Sequence, residues 1–304
     1  MFGGVEAGGT KFVCVIGTGP DDIAETQRID VAGPAETLGA ALDFFRRALA
    51  AGTPLDAIGI GSFGPVELRR SDPRYGFITA TPKPGWSGTD VVGPFAAALG
   101  IPVGFDTDVN TAALAEGRWG AARGLASFVY LTLGTGIGGG AVVEGQLLHG
   151  LGHPEMGHIA VPRRPGDTCE GVCPFHGDCF EGMASGPAVE ARFSRRAEHL
   201  EGADRAAAAE LVGFYLAAGV RSITYTLAPE RVVVGGGLSV MPGMLDAARA
   251  ELRVQLNGYP GLTEHSQPAF LVPAELGGRA GPAGTLILAE QAAELAAAAA
   301  HTAG

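Results

Sequence analysis

Three of the four cysteines in this chain lie close together in the segment CEGVCPFHGDC, which begins at residue 169. Zinc prefers four soft or borderline ligands in a tetrahedron, and the spacing Cys173-x2-His176-x2-Cys179 supplies three of them from one tight loop. The candidates for the fourth ligand are Cys169, His153 and His158. The segment therefore predicts a structural zinc site, with a redox disulfide as the competing interpretation.

Two aspartates lie close together in the segment VGFDTDVN, which begins at residue 103. Asp106 and Asp108 are located where a predicted strand gives way to a helix, the edge at which α/β proteins commonly place ligands. A carboxylate at this edge can accept the proton of a substrate hydroxyl during group transfer. The alternative is that one of the two only caps the helix that begins near Val109.

Glycine-rich turns form the third chemical feature, and two standard phosphate-binding motifs do not fit them. The segment GTGIGG from Gly134 to Gly139 has the spacing G-x-G-x-x-G, but the apolar run AVV that follows predicts a strand. The dinucleotide motif requires a helix there. The segment GVEAGGTK from Gly4 to Lys11 reverses the residue order of a P-loop and also precedes a strand.

The remaining interpretation is that these turns hold phosphates through exposed backbone N–H groups, since glycine lets the backbone approach a ligand closely. Hydroxyls and one cation on the turns would add to the binding. A third turn, VGGGL, begins at Val234 between a predicted buried strand and a helix. The predicted nucleotide-binding residues of the three turns are Gly8, Gly9, Thr10, Lys11, Gly134, Thr135, Gly136, Gly235, Gly236, Gly237 and Leu238.

The elements that must position these residues alternate between strands and helices. Short apolar runs bounded by turn residues predict strands at residues 2–5, 11–16, 57–61, 103–105, 127–133, 140–144 and 231–234. Apolar spacings of three and four predict helices at residues 35–51, 109–118, 204–227, 243–256 and 283–300. This alternation indicates an α/β fold, and the two glycine hairpins predict two related halves. Because the sequence has no Ser/Pro-rich linker, we expect the halves to pack tightly around a cleft.

The amino-acid composition and net charge limit the classes of molecule that the protein can bind. The chain has 304 residues, 46% of them hydrophobic, and a formal net charge of -11 at pH 7. We therefore expect a globular protein that is repelled by nucleic acid and by anionic membranes. The sequence contains no recognisable export signal and no apolar run of membrane-spanning length. Because cysteines are also few, we expect a cytoplasmic location with neither a nucleic-acid nor a membrane partner.

Taken together, the glycine motifs resemble those of the ROK family of sugar kinases. The resemblance rests on GVEAGGTK from Gly4, LGTGIGGG from Leu133 and VGGG from Val234, and it extends to GPAG at Gly281. It implies the actin-like ATPase fold, with ATP and Mg²⁺ bound in a cleft between two ribonuclease H-like domains. Most members have Asp at the position of Glu6, whereas the fructokinase-like branch has Glu as here.

The resemblance also implies domain boundaries. A small α/β domain would comprise residues 1–118, joined by the C-terminal helix at about 284–304. A large α/β domain would comprise residues 119–283 and carry the zinc-binding loop. As in the family, we expect a homodimer.

Roles at the sugar site are implied in the same way. The family motif Asn-Asp-x-Asn aligns with TDVN at Thr107, so Asp108 is the implied catalytic base, and Thr107 replaces a sugar-contacting Asn. The loop SFGP at Ser62 resembles the family's sugar-side loop. The implied substrate-binding residues are Gly64, Pro65, Thr107, Asp108, Glu155, His158 and Glu181.

The resemblance selects one of the candidate zinc ligands. In the family, the His of a Gly-His pair before the Cys/His loop binds zinc, which implies His158 as the fourth ligand. The implied metal ligands are His158, Cys173, His176 and Cys179. Cys169 then has no counterpart and remains a spare thiol.

The implied reaction is ATP-dependent phosphorylation of a hexose at its 6-hydroxyl, with D-fructose as the expected substrate and mannose or glucose as alternatives. A sugar-responsive regulator is the alternative from another class, because some family members carry an added DNA-binding domain. Since the first hairpin begins at residue 3 and the charge is acidic, we expect no such domain. A noncatalytic sugar binder would lack the base, whereas Asp108 is present.

Overall fold

The computed structural model describes residues 1–302 of the chain. The strands are β1 (Phe2–Ala7), β2 (Lys11–Gly19), β3 (Asp22–Asp30), β4 (Ala57–Ser62), β5 (Val103–Thr107), β6 (Phe128–Leu133), β7 (Ile137–Val143), β8 (Gln146–Leu147), β9 (Arg231–Gly235) and β10 (Leu271–Pro273). The helices are α1 (Pro34–Ala50), α2 (Gly93–Leu99), α3 (Asp108–Trp119), α4 (Phe180–Ala184), α5 (Gly186–Phe193), α6 (Gly202–Leu227), α7 (Met244–Leu256) and α8 (Ala280–Thr302).

The chain divides into two compact units. The first consists of Met1–Ala115, Leu148–His153 and the described residues from Gly278 onward. The second consists of Glu116–Leu147 and Pro154–Gly277. The functional domain boundaries implied by the resemblance stay a prediction.

Each unit contains one five-stranded sheet, and the two sheets have the same topology. The order is β3-β2-β1-β4-β5 in the first unit and, taken from the corresponding edge, β8-β7-β6-β9-β10 in the second. In both sheets the central strand pairs antiparallel with the next strand of a hairpin and parallel with a later strand. The predicted α/β class is confirmed, and each unit opens on a glycine hairpin as expected.

A row of glycines lets α8 lie directly on the first sheet. Gly4, Gly59 and Gly104 are register neighbours on β1, β4 and β5. A Cβ on Gly59 would lie 1.9 Å from the carbonyl oxygen of Thr285, and one on Gly104 would lie 2.4 Å from that of Leu288. Side chains at these positions would therefore push the helix off the sheet.

The opposite face of the first sheet is covered by α1 and by a loop with an aromatic core. Phe45 of α1 is fully buried and contacts the sheet at Gly3. Trp86 is also fully buried, packs against the rings of Phe12 and Phe63, and donates its indole N–H to a backbone carbonyl. Trp86, at the end of the proline-containing segment TPKPGW that begins at residue 81, is thus a core residue of its unit.

The second unit is built around α6, which packs against α7 and α4. This helix is long and apolar enough to cross a membrane by length and composition, but 67% of the apolar window is buried inside the protein. Burial of this kind is typical of the core helix of a globular unit.

Several strands differ from the sequence prediction, and the short edge strands β8 and β10 have no predicted counterpart. The second hairpin turn is shorter than expected, because β7 begins at Ile137 and includes Gly138 and Gly139, which pair with β6. Met156 explains the glycine at one of these positions, since a Cβ on Gly139 would lie 2.7 Å from its sulfur. The edge strand β3 has no predicted counterpart, since its mostly exposed polar residues give no apolar alternation.

Candidate functional site

The predicted base lies at the junction of β5 and α3 in the first unit. Thr107 directly precedes the helix, and its Oγ1 accepts a hydrogen bond from the backbone N–H of Asn110 at 3.1 Å. This is N-cap geometry, so Thr107 rather than either aspartate caps α3. Thr107 is buried, and its contact with a sugar stays a prediction. Asp108 is the first helical residue, where the positive end of the helix dipole favours a carboxylate.

Asp108 has the properties of a general base. Its Oδ1 accepts the backbone N–H of Val109 at 2.9 Å. Burial raises the pKa of Asp108 to about 6, and backbone hydrogen bonds, including that of Val109, lower it in part. A carboxylate with such a pKa is mostly ionised at neutral pH and is a stronger base than an ordinary aspartate.

A second carboxylate of the first unit, Glu6, is electrostatically coupled to this base. Burial, and then the charge of Asp108, raise the pKa of Glu6 to about 7, while Lys11 lowers it. Gly281 of α8 makes room for the side chain, since a Cβ there would lie 2.0 Å from Glu6 Oε1. Glu6 and Asp108 offer the hard oxygen ligands that Mg²⁺ prefers.

The first predicted phosphate turn joins β1 to β2. It is closed by a hydrogen bond from the Gly8 N–H to the Lys11 carbonyl at 3.0 Å. A Cβ on Gly9 would meet nothing within 4 Å, so the space beside it is open to a ligand. Within residues 1–302, the N–H groups of Gly9 and Thr10 donate no hydrogen bond. Two free donors and a lysine on one turn fit an anion such as phosphate.

The predicted sugar-side loop follows β4 and is held by a histidine of its own unit. The backbone N–H of Val66 donates to Nε2 of His153 at 3.1 Å. The same ring lies against Gly64, where a Cβ would be 3.3 Å from the His153 Cε1. The sequence offers His153 as a candidate zinc ligand, but the structure places it here, next to Gly64 and Pro65.

The second predicted phosphate turn joins β6 to β7 in the second unit. The Gly134 N–H donates to the Gly136 carbonyl at 2.9 Å, and the Gly186 N–H donates to the Gly134 carbonyl at 2.8 Å. The N–H of Ile137 donates to Oε2 of Glu181 at 2.9 Å. Glu181, which belongs to α4, therefore supports this turn, and its contact with a sugar stays a prediction.

A cavity of about 710 Å³ lies beside this turn, within the second unit. Gly134 and Thr135 of the second turn line it together with Gly237 and Leu238 of the third, so residues from two predicted loops meet at one cavity. The sequence gives no indication of the other lining residues, which are Gly186, Pro187, Glu190, Arg196, Ala197, Glu198, Leu200, Arg205, Val240, Met241 and Pro242. The volume is typical of a small-molecule site.

The other two glycines of the third turn have structural roles. A Cβ on Gly235 would lie 2.2 Å from the hydroxyl of a tyrosine on β6. Gly236 has a φ of +86°, in the left-handed region, and a Cβ there would lie 2.4 Å from the Leu133 carbonyl. Both glycines let the turn pack closely against β6, which presents Gly237 and Leu238 to the cavity.

The predicted zinc ligands converge in the second unit. One ligand atom from each of His158, Cys173, His176 and Cys179 lies within 4.8 Å of the other three. Nδ1 of His158 is 3.6 Å from Cys173 Sγ and 3.7 Å from Cys179 Sγ. It is 3.4 Å from Nδ1 of His176. Tetrahedral zinc with bonds of about 2.0–2.3 Å requires ligand separations of about 3.3–3.8 Å, so the four atoms fit this metal.

Cys169 lies outside the cluster. Its backbone N–H donates to Oδ1 of Asp167 at 3.0 Å. Asp167 also accepts hydrogen bonds from Arg192 and from the Tyr215 hydroxyl, which are located on α5 and α6. This network anchors the start of the predicted zinc-binding loop to two helices of its unit.

The segment before the predicted zinc-binding loop connects the Cys/His cluster to the second turn. The backbone N–H of His158 donates to the Glu155 carbonyl at 3.0 Å. Gly157 lies against Ile137, since a Cβ there would be 1.8 Å from the Ile137 carbonyl oxygen. Because Nδ1 of His158 faces the metal cluster, its Nε2 is on the far edge of the ring and is available for another partner.

One polar pair in the first unit has no counterpart in the sequence predictions. Nε2 of His149 lies 2.9 Å from Oδ2 of Asp106. Asp106 is singled out from sequence only as an alternative to Asp108, and nothing in the sequence indicates that a distant histidine meets it.

Comparisons with known proteins agree with this geometry. The sequence pattern of the ROK family matches residues 2–292. A fructokinase of Zymomonas mobilis is 42% identical over 291 residues, which cover 95% of this chain and 96% of that protein. A fructokinase of Pediococcus pentosaceus is 37% identical over 294 residues, covering 96% of this chain and 98% of that protein. The crystal structure of a ROK hexokinase from Thermus thermophilus has a TM-score of 0.77 and 28% identity, covering 95% of this chain and 98% of that one. The chain is therefore a member of the ROK family and has its actin-like ATPase fold.

Proposed function

We propose that the protein is an ATP-dependent hexose kinase that converts ATP and D-fructose into ADP and fructose 6-phosphate. Membership of a sugar kinase family supports the reaction type. Similarity to two fructokinases, each over at least 95% of the chain, supports fructose as the substrate.

The position and the raised pKa of Asp108 give the proposal its main support. It lies at the start of a helix, is partly buried, and has a pKa raised to about 6 by that burial. In the proposed reaction, the 6-hydroxyl oxygen forms a bond to the γ-phosphorus of ATP, and the bond from this phosphorus to the β,γ-bridging oxygen breaks. The proton of the hydroxyl passes to the Asp108 carboxylate.

The nucleotide is assigned to the glycine turns. Backbone N–H groups of Gly9 and Thr10, with the Lys11 cation, would bind phosphate oxygens. The cavity lined by Thr135 and Gly237 is large enough for a nucleoside. The family implies Mg²⁺, which neutralises phosphate charge when bound, and the Glu6 carboxylate would hold it.

Sugar binding is assigned to residues whose polar groups can form hydrogen bonds with paired hydroxyls. Gly64 and Pro65 are proposed to contact it through their backbone, and Glu155, His158 and Glu181 through carboxylate and imidazole groups. A buried site that binds hydroxyls in this way rejects analogues that lack them.

A structural Zn²⁺ is proposed for His158, Cys173, His176 and Cys179, whose separations fit a tetrahedron. Four protein ligands leave no open position for a catalytic water, so the metal would stabilise the loop and fix His158. Free thiols at such a site suit a reducing compartment, which supports a cytoplasmic location. A homodimer stays part of the proposal, and light scattering of the purified protein would test it.

The activity is tested by a coupled ADP-release assay with fructose, mannose, glucose and N-acetylmannosamine. We expect the highest kcat/KM with fructose, and a loss of at least 1,000-fold in kcat for Asp108→Asn. Asp246→Asn is the matched control, because Asp246 is an exposed aspartate in the first turn of another helix. Absence of turnover on every sugar would refute the kinase assignment, and full activity of Asp108→Asn would remove the proposed base.

A further inference from the structure

A buried carboxylate beside the proposed base holds a histidine that the reaction scheme does not use. Asp106 is 3% exposed. Its Oδ1 accepts the Thr107 N–H at 2.7 Å and the Asn110 Nδ2 at 2.6 Å. Its Oδ2 lies 2.9 Å from Nε2 of His149. The carboxylate is therefore fully engaged by its own unit and holds His149 in place.

The hydrogen bonds to Asp106 determine the orientation of its partners. An ionised carboxylate only accepts, so the atom that His149 directs at it is an N–H on Nε2. For the same reason the amide nitrogen of Asn110 faces Asp106, and its oxygen faces away. Asp106 also raises the pKa of His149 through this hydrogen bond.

Two polar atoms of this cluster have no partner within residues 1–302. Oδ1 of Asn110 accepts no hydrogen bond from these residues, and the whole side chain is buried. Nδ1 of His149 makes no hydrogen bond to the described residues, and the side chain of His149 is 38% exposed. Oδ1 of Asn110 is closed to solvent, whereas His149 is exposed enough for its Nδ1 to meet a polar ligand or water.

The location of the cluster identifies the ligand. Asp106 and Asn110 flank Asp108 in sequence, on the same strand–helix junction. Thr107, which stands where the family has a sugar-contacting Asn, uses its Oγ1 to cap α3. A hydroxyl can accept from or donate to Nδ1 of His149, depending on the protonation state of the ring.

We propose that His149 is a sugar-contacting residue, positioned by Asp106, which binds a hydroxyl of the hexose other than the one that is phosphorylated. His149 would add a sugar contact beside Thr107, whose Oγ1 already accepts the backbone N–H of Asn110. This inference rests on the proposed function, since it assigns a specificity residue to the same sugar site.

Two substitutions of His149 distinguish a direct contact with the sugar from a purely structural role. Gln at position 149 can place an amide nitrogen near the position of Nε2 and keep the hydrogen bond to Asp106, but it has no atom equivalent to Nδ1. Ala removes both interactions. His301→Ala is the control, because His301 is an exposed histidine at the end of α8. We expect both His149→Gln and His149→Ala to raise the KM for fructose 10- to 100-fold, with less than a threefold change in the KM for ATP.

Deoxy analogues of fructose supply a readout that a purely structural role would not change. We expect the wild-type protein to lose affinity for the analogue lacking one particular hydroxyl, and His149→Gln to bind that analogue and fructose equally well. A wild-type protein that binds and phosphorylates no hexose overturns this inference together with the proposed function. A wild-type protein that phosphorylates fructose while His149→Gln keeps its fructose KM and its discrimination overturns this inference alone.

Discussion

Oε2 of Glu181 accepts the backbone N–H of Ile137 at 2.9 Å, directly after the second glycine turn. Glu181 belongs to the short helix α4, and the proposed zinc ligand Cys179 is the residue directly before this helix. The segment that carries the proposed zinc ligands therefore supports the turn that lines the proposed nucleotide cavity. A residue proposed to contact sugar thus also supports the proposed nucleotide site of its unit.

Replacement of Glu181 by Ala should weaken ATP binding as well as sugar binding. The turn loses a charge-assisted hydrogen bond, so we expect the KM for ATP to rise about 5- to 20-fold. Steady-state kinetics with each substrate varied in turn would measure both effects. Glu264→Ala, an exposed control, should change neither constant. An unchanged KM for ATP in Glu181→Ala would contradict this support role.

The pH dependence of turnover should show an acid limb set by buried carboxylates. Asp108 must be ionised to accept a proton, and its pKa is raised to about 6 by burial. We therefore expect kcat/KM to fall as the pH drops through about 6, approaching a tenfold loss per pH unit. Glu6, with a pKa raised to about 7, is coupled to Asp108 and broadens the limb. A rate independent of pH between 5 and 8 would argue against Asp108 as the base.

Asp108→Asn should make the protein more stable while it removes activity. The folded state raises the pKa of Asp108 from 3.8 to about 6, so keeping this group ionised in the folded protein has an unfavourable free energy. Its removal should increase the free energy of unfolding at pH 8 by on the order of 1–3 kcal/mol. The gain should shrink as the pH falls from about 6 towards 4, because the folded protein then binds a proton at Asp108 and no longer holds a charge there, and it should vanish below the unfolded pKa of 3.8. Chemical denaturation at pH 8 and pH 5 would measure the difference, and an equal gain at both would disprove the linkage.

Removal of zinc should affect stability and sugar affinity together. Chelation, or Cys173→Ser, would release His158, and we expect a lower Tm by at least 5 °C and a fructose KM about tenfold higher. Cys169→Ser provides the matched control, since Cys169 is a thiol of the same segment outside the cluster. Metal analysis that finds no zinc, or a Cys173→Ser protein identical to the wild type, would refute the metal site.

Gly281→Ala should displace the Glu6 side chain, although residue 281 itself is not proposed to contact a ligand. The new Cβ would lie 2.0 Å from Glu6 Oε1, so the carboxylate or the start of α8 must move. We expect kcat to fall at least tenfold, together with a loss of about 1–3 kcal/mol in the free energy of unfolding. Gly278→Ala is the control, because a Cβ there would meet nothing within 4 Å. Equal behaviour of the two variants would show that Gly281 has no role in positioning Glu6.

Helices with strong apolar periodicity and strands with apolar runs could be predicted from sequence. The helix predicted at residues 243–256 is found at Met244–Leu256, and the strand predicted at 231–234 is found at Arg231–Gly235. Local patterns were sufficient there because one face of each helix and both faces of each central strand are buried. The exposed edge strand at Asp22–Asp30 has no such pattern and could not be found in this way.

The residues of the candidate site likewise divide into those that local spacing indicates and those that it does not. Spacing within one loop indicated Cys173, His176 and Cys179, whereas His158 required the family resemblance. The contact between Asp106 and His149 depends on how β5 and a distant segment pack in three dimensions, and no local spacing encodes such a contact. Thr107 has a further role that the family resemblance does not indicate, since its Oγ1 caps α3.

The glycine row beneath α8 has a consequence for synthesis of the chain. Strands β1, β4 and β5 leave the ribosome early, but the helix that covers them consists of residues 280–302. The face of these strands that carries Gly4, Gly59 and Gly104 therefore remains exposed to water while the ribosome synthesises the second unit. A nascent chain stopped before Ala280 would present an uncovered sheet that other chains can contact, so completion of the first unit must follow release of the C-terminal segment.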